Sequence, residues 1–288
     1  MSLLSNMRRA FKMSLKLGLG DRPYLLILFI YAHKRLPRRS SRLFNDYLFF
    51  LKASDELSDI MRQVTSDKHL VKEFVNERVG TGKTIETVGL FASVSEINGE
   101  KLPRPCVLKP AHGSGSVVFC KEGQNELSEE ELELLQRALD SSPYTSAREA
   151  NYRYLRRRIV CEPMLQEGEN IKDYKVFCFR GEPKVIQVDS DRHWAHKRNI
   201  YTPAWEHVDV KYNFPLGQWE DAPSNLSEML DISRALATEF EFVRVDFFIS
   251  GERLFIGELT HCPESAHGRF ASRADEARFS ALLFADVS

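Results

Sequence analysis

The chain has 288 residues, with 40 Lys and Arg against 41 Asp and Glu; 43% of residues are hydrophobic and 28% charged. These proportions exclude disordered, collagenous and coiled-coil classes and leave an ordinary globular fold, large enough for one elaborated domain or two modest lobes. The net charge of −1 argues against a general nucleic-acid binder, yet residues 1–42 carry ten Lys/Arg and a single acid, Asp21, so that end is nine units positive and the remainder ten negative.

Within the basic end, Leu4, Met7, Phe11 and Leu15 recur at spacings of three and four, with Arg9, Lys12 and Lys16 on other faces. This is the pattern of a basic amphipathic helix over 3–17. Gly18, Gly20 and Pro23 break it before a second helix, Tyr24–Leu36. Docking on an anionic membrane surface and plain packing on the domain fit these helices equally. The longest apolar run, Tyr24–Ala32, reaches about 13 Å as a helix, which is too short to span a bilayer. It also lacks the cleavage site of a signal peptide. The five cysteines are odd in number and form no CxxC pair, which suits a reducing compartment better than a disulfide framework or a zinc site. The expected location is the cytoplasm.

A third helix is expected over Ser41–Ala53, and a fourth with Ser66 as N-cap that stops at Gly80. Gly80-Thr81-Gly82-Lys83-Thr84 ends like a phosphate-binding P-loop, but the motif's first glycine would fall on Glu77 and a helix precedes it where a strand is required. It reads as a loop. Thr87–Ala92 and Cys106–Lys109 read as strands, His112–Ser116 as a glycine-serine turn, and Val117–Cys120 as the returning strand. Ser128 and Glu131 form a capping box for a helix to Leu139. A further helix precedes the strand Ile159–Glu162. Tyr174–Phe179 and Pro183–Asp189 make a hairpin around Arg180-Gly181. Residues 190–222 hold all three tryptophans and no periodicity, and read as a long loop. Leu226–Phe240 is a helix, followed by a second hairpin, Phe242–Ile249 and Leu254–Thr260. The C-terminal segment is weakly patterned, and the chain has no repeats and no low-complexity tract.

Two constellations carry possible chemistry. Val107-Leu108-Lys109-Pro110 is a buried strand with a lysine near the mouth of the His112–Ser116 turn. The pair reads either as a phosphate cradle of unobstructed backbone N–H groups or as an ordinary hairpin with a snorkelling lysine. In the last hairpin Arg244 and Asp246 share a face, as do Glu258 and Thr260. Two carboxylates on adjacent strands suit Mg²⁺, whereas an Arg244–Glu258 ion pair would be purely structural. For all four to share one face, the connection near Ser250-Gly251 must have an odd number of residues or the hairpin must carry a bulge. Between these lie Glu162–Leu165, an extended segment suited to an adenine edge, and Asp173-Tyr174-Lys175, where Asp173 suits a ribose hydroxyl and Lys175 a phosphate.

In chain order, Ser66-Asp67-Lys68, Val107–Pro110, His112–Gly115, Glu162–Leu165, Arg244-x-Asp246 and Glu258-x-Thr260 resemble an ATP-grasp ligase. Asp67–Gly80, Lys109–Gly115, Asp173–Lys184, Phe242–Asp246 and Gly257–Thr260 resemble, more narrowly, the TupA-like branch, named for teichuronopeptide synthesis and linked to cell-surface polysaccharides. The resemblance covers roughly residues 40–270. It implies an α+β fold of two lobes around a nucleotide cleft, with a basic helical segment over 1–64, an N-terminal lobe over 65–165 and a C-terminal lobe over 166–288.

By the same resemblance the cofactors are ATP and two Mg²⁺ ions. Lys68 and Lys109 would hold the phosphates, and His112, Gly113, Ser114 and Gly115 would close over them. Glu162, Leu165 and Asp173 would surround adenine and ribose. Asp246, Glu258 and Thr260 would ligate metal, with Thr260 standing where many ATP-grasp enzymes carry Asn. Arg244, Lys109 and Lys175 would be the catalytic cations. The implied reaction joins a carboxylate, such as a uronic acid of a polysaccharide or its precursor, to an amine donor through an acyl phosphate. Arg192, His193, Lys197 and Arg198 form a candidate clamp for the acidic acceptor or, equally, a solvated charge run. No nucleic acid is expected as a partner; residues 1–39 would contact an anionic membrane from the cytoplasmic side. The rival readings are a non-catalytic nucleotide-binding protein and a phosphotransferase with a hydroxyl acceptor.

Overall fold

The computed structural model describes residues 18, 20–113, 115–124, 126–165, 172–190 and 195–286. The expected amphipathic helix over 3–17 lies outside them. The first described helix, α1 (Asp21–His33), begins three residues earlier than expected. Pro23 falls within its first turn, where a missing N–H costs nothing. It ends at Lys34, whose φ of 56° breaks the helix before Leu36. Two more helices follow, α2 (Phe44–Lys52) and the short α3 (Ile60–Ser66), the latter capped by the Asp59 carboxylate.

Ser66 is not the cap of α4 (Val71–Val79). Its hydroxyl donates back to the Arg62 carbonyl at 2.7 Å and closes α3. Asp67 takes the capping role, accepting from the His69 and Leu70 amides at 2.8 and 3.1 Å. A carboxylate is the better acceptor at a positive helix end. Gly80 ends α4 as expected, with φ 81°, and residues 81–83 form a turn that leads to a bridge between Thr84 and Ile256.

The first sheet contains β1 (Gly89–Phe91), β2 (Cys106–Pro110), β3 (Val118–Cys120) and β4 (Ile159–Pro163) in the antiparallel order β1-β4-β2-β3. Helix α5 (Glu129–Asp140), held by the capping box of Ser128 and Glu131, lays Leu135 and Leu139 against Cys106, Leu108, Val118 and Cys161. The short α6 (Pro143–Ala147) follows it.

The second sheet has six antiparallel strands in the order β10-β9-β5-β6-β7-β8. They are β5 (Asp173–Phe179), β6 (Glu182–Ser190), β7 (Lys197–Tyr201), β8 (His207–Val208), β9 (Phe242–Ser250) and β10 (Arg253–Thr260). Helix α7 (Leu226–Ala237) and α4 cover one face through Val176, Ile186, Val243, Val245 and Phe247. The opposite face is apolar only at one end, where Phe177, Val185, Ile200 and Phe242 meet α2 and a last helix, α8 (Arg273–Leu283). The rest of that face is polar.

Two expectations are corrected. Residues 190–222 are not one loop, because β7 and β8 lie inside them, and the C-terminal segment folds into α8. Phe44, Leu48 and Leu51 of α2 are built into the core of the second sheet. All five cysteines are buried free thiols. Among the described residues no helix is long and apolar enough to cross a membrane.

Candidate functional site

The polar face of the second sheet depends on one irregularity. The turn Gly251-Glu252 is a two-residue connection, and strict pairing holds from Arg253↔Ser250 to Ile256↔Phe247. The register then slips by one at Gly257, so that Glu258 stands opposite Asp246. Without this bulge the two carboxylates would point to opposite faces. The required parity is met by the bulge, not by the turn.

Across the strands Glu258, Asp246, Lys175 and Gln187 lie directly opposite one another. Asp246 accepts two bonds from Arg244, both at 2.6 Å, and one from Lys175 at 2.8 Å. Lys175 also reaches Asp173 at 3.4 Å. The Thr260 hydroxyl donates to Glu258 at 2.9 Å and accepts from Arg244 at 3.1 Å. Arg244 Nη2 lies 3.6 Å from Glu258, and Lys68 Nζ stands 3.6 Å from its other oxygen. Burial alone would raise the Glu258 carboxyl, but Lys68, Arg244 and Lys175 outweigh it and bring its pKa down to about 2. Burial opposes the charge on Lys175, and Asp246 and Asp173 reverse this, so its pKa rises and it remains an ammonium.

The facing cations come from β2 of the first sheet and from α4 and the turn before it. Lys109 and Lys72 both hold the Glu162 carboxylate, at 2.5 and 2.6 Å. Burial pushes Glu162 up, while Lys109 and Lys72 together hold it below the ordinary carboxylate range. Lys68, four residues before Lys72, donates to the Gly113 carbonyl as well as approaching Glu258. It therefore joins the glycine turn to the second sheet. The result is two clusters of charge, Lys109, Glu162 and Lys72 in one, and Lys68, Glu258, Arg244, Asp246 and Lys175 in the other, with Lys68 and Lys72 four residues apart in the chain.

Several expected site residues stand differently. His112 is buried, and both ring nitrogens are used within the fold: Nε2 lies 3.2 Å from the Ala138 carbonyl, and Nδ1 accepts from the Arg158 amide at 3.3 Å. Burial keeps it neutral, so it anchors the glycine turn and is not aimed at a phosphate. Glu162, expected near adenine, is taken by two lysines. Lys197 and Arg198, being adjacent on β7, face opposite sides of the sheet and cannot form one clamp. Arg198 is buried and spent on Asp189 at 2.6 and 2.9 Å, with Glu264 at 3.3 Å. Gly113 lies against Pro143, Gly115 has φ 91°, and Leu165 is half-buried. Ser114, Arg192 and His193 lie outside the described residues. Lys72 was missed, although its spacing of four from Lys68 at a helix start was a readable signal.

Among the described residues no three His, Cys, Asp or Glu side chains cluster as a metal cage. Asp246 and Glu258, neighbours across two strands with a hydroxyl beside them, nevertheless fit Mg²⁺, which takes one or two carboxylates and completes its shell with phosphate and water.

The profile of the TupA-like ATPgrasp family matches residues 48–279, and the chain belongs to that family. Its fold is therefore the α+β ATP-grasp fold, preceded by helices. None of the curated proteins compared matches the sequence. Among solved structures it is similar to a D-alanine-D-alanine ligase from Helicobacter pylori (18% identity, TM-score 0.40, covering 76% of this chain and 61% of that one). It is also similar to the Bacillus anthracis D-alanine–D-alanine ligase complexed with ATP (15%, 0.43, 76% and 65%) and to an L-amino acid ligase from Bacillus licheniformis (12%, 0.44, 83% and 55%). The chain spans less than two thirds of the length of each.

Proposed function

We propose that the protein is an ATP- and Mg²⁺-dependent carboxylate–amine ligase. The observation that carries this reading is the pair of charge clusters, Lys109 and Lys72 on Glu162, and Lys68, Arg244 and Lys175 on Glu258 and Asp246, with Lys68 reaching both the glycine turn and Glu258. It offers ammonium groups for phosphates on one side and two adjacent carboxylates for metal on the other. Lys68, Lys72 and Lys109 hold the phosphates, beside the Gly113 and Gly115 turn. Asp173 and Leu165 would contact the nucleoside. Asp246 and Glu258, with Thr260, hold Mg²⁺, which when bound cancels charge on the phosphate oxygens.

In the reaction an acceptor carboxylate oxygen attacks the γ-phosphorus. The bond to the bridging oxygen breaks, and ADP leaves with that electron pair. Arg244 and Lys175 stabilise charge on the transferring phosphoryl group, a role of positioning and electrostatics more than covalent chemistry. The amine nitrogen then attacks the acyl carbon, phosphate departs with the C–O electron pair, and the nitrogen loses a proton to give the amide. The proposed acceptor is a uronic acid or similar carboxylate of a cell-surface polysaccharide or its precursor, supported by the family's link to teichuronopeptide synthesis.

The test is ADP release with candidate uronic acids and amines, with hydroxylamine as a trap for the acyl phosphate. Hydroxamate formation is expected. Asp246→Asn and Glu258→Gln should each lower ADP release by at least about 100-fold while the circular dichroism spectrum is unchanged. ADP release without hydroxamate would favour a hydroxyl acceptor. Nucleotide binding with no ADP release for any carboxylate would favour a non-catalytic binder.

A further inference from the structure

The sequence from Arg22 to Asn45 contains no Asp or Glu and six Lys/Arg. In the structure α1 buries Tyr24, Leu25 and Phe29, packs Leu26 beside them and leaves Ile30 and Tyr31 exposed. In its last turn Ile30 and Tyr31, and three residues past its end Leu36, are 39%, 49% and 62% exposed. Lys34, Arg38, Arg39 and Arg42 are exposed beside them, and among the described residues none has a carboxylate partner on its side chain. Lys34 and Arg39 instead lie over aromatic rings, of Tyr31 at 4.6 Å and Phe50 at 4.7 Å. Arg35, by contrast, turns inward to Asp46 and Glu276.

The helix is anchored at both ends. Asp21 is bound by Tyr144 at 3.0 Å and by Arg148 at 3.1 Å, and the Tyr24 hydroxyl donates to the Ser146 carbonyl at 3.2 Å. At the far end His33 meets the Ala266 carbonyl at 2.9 Å. The first anchor is α6, whose Pro143 lies against Gly113 of the glycine turn, and the second follows Thr260 by six residues. Helix α1 therefore touches elements adjoining both halves of the site.

We infer that the face formed by Ile30, Tyr31, Leu36, Lys34, Arg38, Arg39 and Arg42 docks on an anionic lipid bilayer. Apolar side chains flanked by unopposed cations suit the acyl–headgroup boundary, where each basic residue near the surface adds roughly fivefold in affinity. Docking would bring α1, which contacts the segments next to the glycine turn and after Thr260, against the membrane on which an acceptor is carried. The surface itself is independent of the proposed ligase activity.

The test is co-sedimentation of the full chain with phosphatidylcholine vesicles, with and without phosphatidylglycerol. Binding is expected only to the anionic vesicles. Arg38→Gln/Arg39→Gln/Arg42→Gln should weaken it about 100-fold, and Ile30→Ser/Tyr31→Ser/Leu36→Ser at least about tenfold. All six positions are exposed, so both variants should keep the wild-type melting temperature and solution ADP release. Three outcomes would overturn the inference. Wild type could fail to bind anionic vesicles. Either variant could bind as wild type does, which would assign the membrane contact to residues 1–17. The wild type could be a dimer that the serine variant makes monomeric, which would assign the face to a second copy.

Discussion

A Cβ atom at residue 257 would stand 2.8 Å from Cε1 of Phe248, closer than real side-chain contacts allow. Gly257 is also the residue at which β10 slips register to bring Glu258 opposite Asp246. Gly257→Ala is therefore expected to cost about 1–3 kcal/mol in urea denaturation and to weaken Mg²⁺-dependent nucleotide binding beyond what the lost stability explains. Unchanged stability and binding would mean the bulge does not need glycine. Glu258 allows a second measurement at this scale. Its folded pKa lies near 2, below the ordinary value of 4.5. Its ionisation thus contributes stability that is complete above the unfolded value and is lost as pH falls through the folded one. Between pH 4.5 and 2 the stability of the wild type should fall more steeply than that of Glu258→Gln, and parallel curves would contradict the cage of Lys68, Arg244 and Lys175. The residue types of this site were legible because strand alternation sorts Arg244 with Asp246 and Glu258 with Thr260. Their common face was not, because nothing in a single sequence distinguishes a bulge glycine from any other.

Local signals fared better than distant ones at the level of elements. The capping box of α5 and the Arg180-Gly181 turn, with φ 51° and 81°, were readable because neighbours in sequence determine them. Helix α8 was not, because its buried side carries Glu276 and Ser280 as well as Phe279 and Leu283. Those polar groups are satisfied far away in sequence: Glu276 by Asn45 and Arg35, and Ser280 by the Phe44 amide at 2.9 Å. Strand β7 was hidden in the same way, since Arg198 and Asn199 are buried only because Asp189 and the 217–218 backbone receive them. Helix α8 is nonetheless an integral part of the core. Phe279 is fully buried and meets the rings of Phe44, Phe177 and Phe270 within 5.0–5.4 Å. Phe279→Ala should cost about 3–5 kcal/mol in chemical denaturation; a loss under about 1 kcal/mol would show that α8 is peripheral.

At the scale of the whole molecule, the helices before residue 64 and the sheet after residue 172 share one core, so excision of the basic end would remove core side chains along with surface charge. The two sheets meet through Lys68, which touches the glycine turn of one and Glu258 of the other. Every ionic group that the proposed reaction uses at this junction already has a protein partner: Glu162 occupies Lys72 and Lys109, while Arg244 and Lys175 occupy Asp246. A divalent cation arriving alone must compete with a guanidinium and an ammonium, and a polyphosphate arriving alone must draw lysines from a carboxylate. Arriving together, metal on Asp246 and Glu258 releases Lys68, Arg244 and Lys175 toward phosphate, and phosphate on those cations clears the carboxylates for metal. Calorimetric titration should accordingly show Mn²⁺ and ADP each binding at least about tenfold tighter in the presence of the other, a reciprocity that thermodynamic linkage requires to be equal in both directions. Identical Mn²⁺ affinity with and without ADP would mean that the internal counter-ions exert no such control.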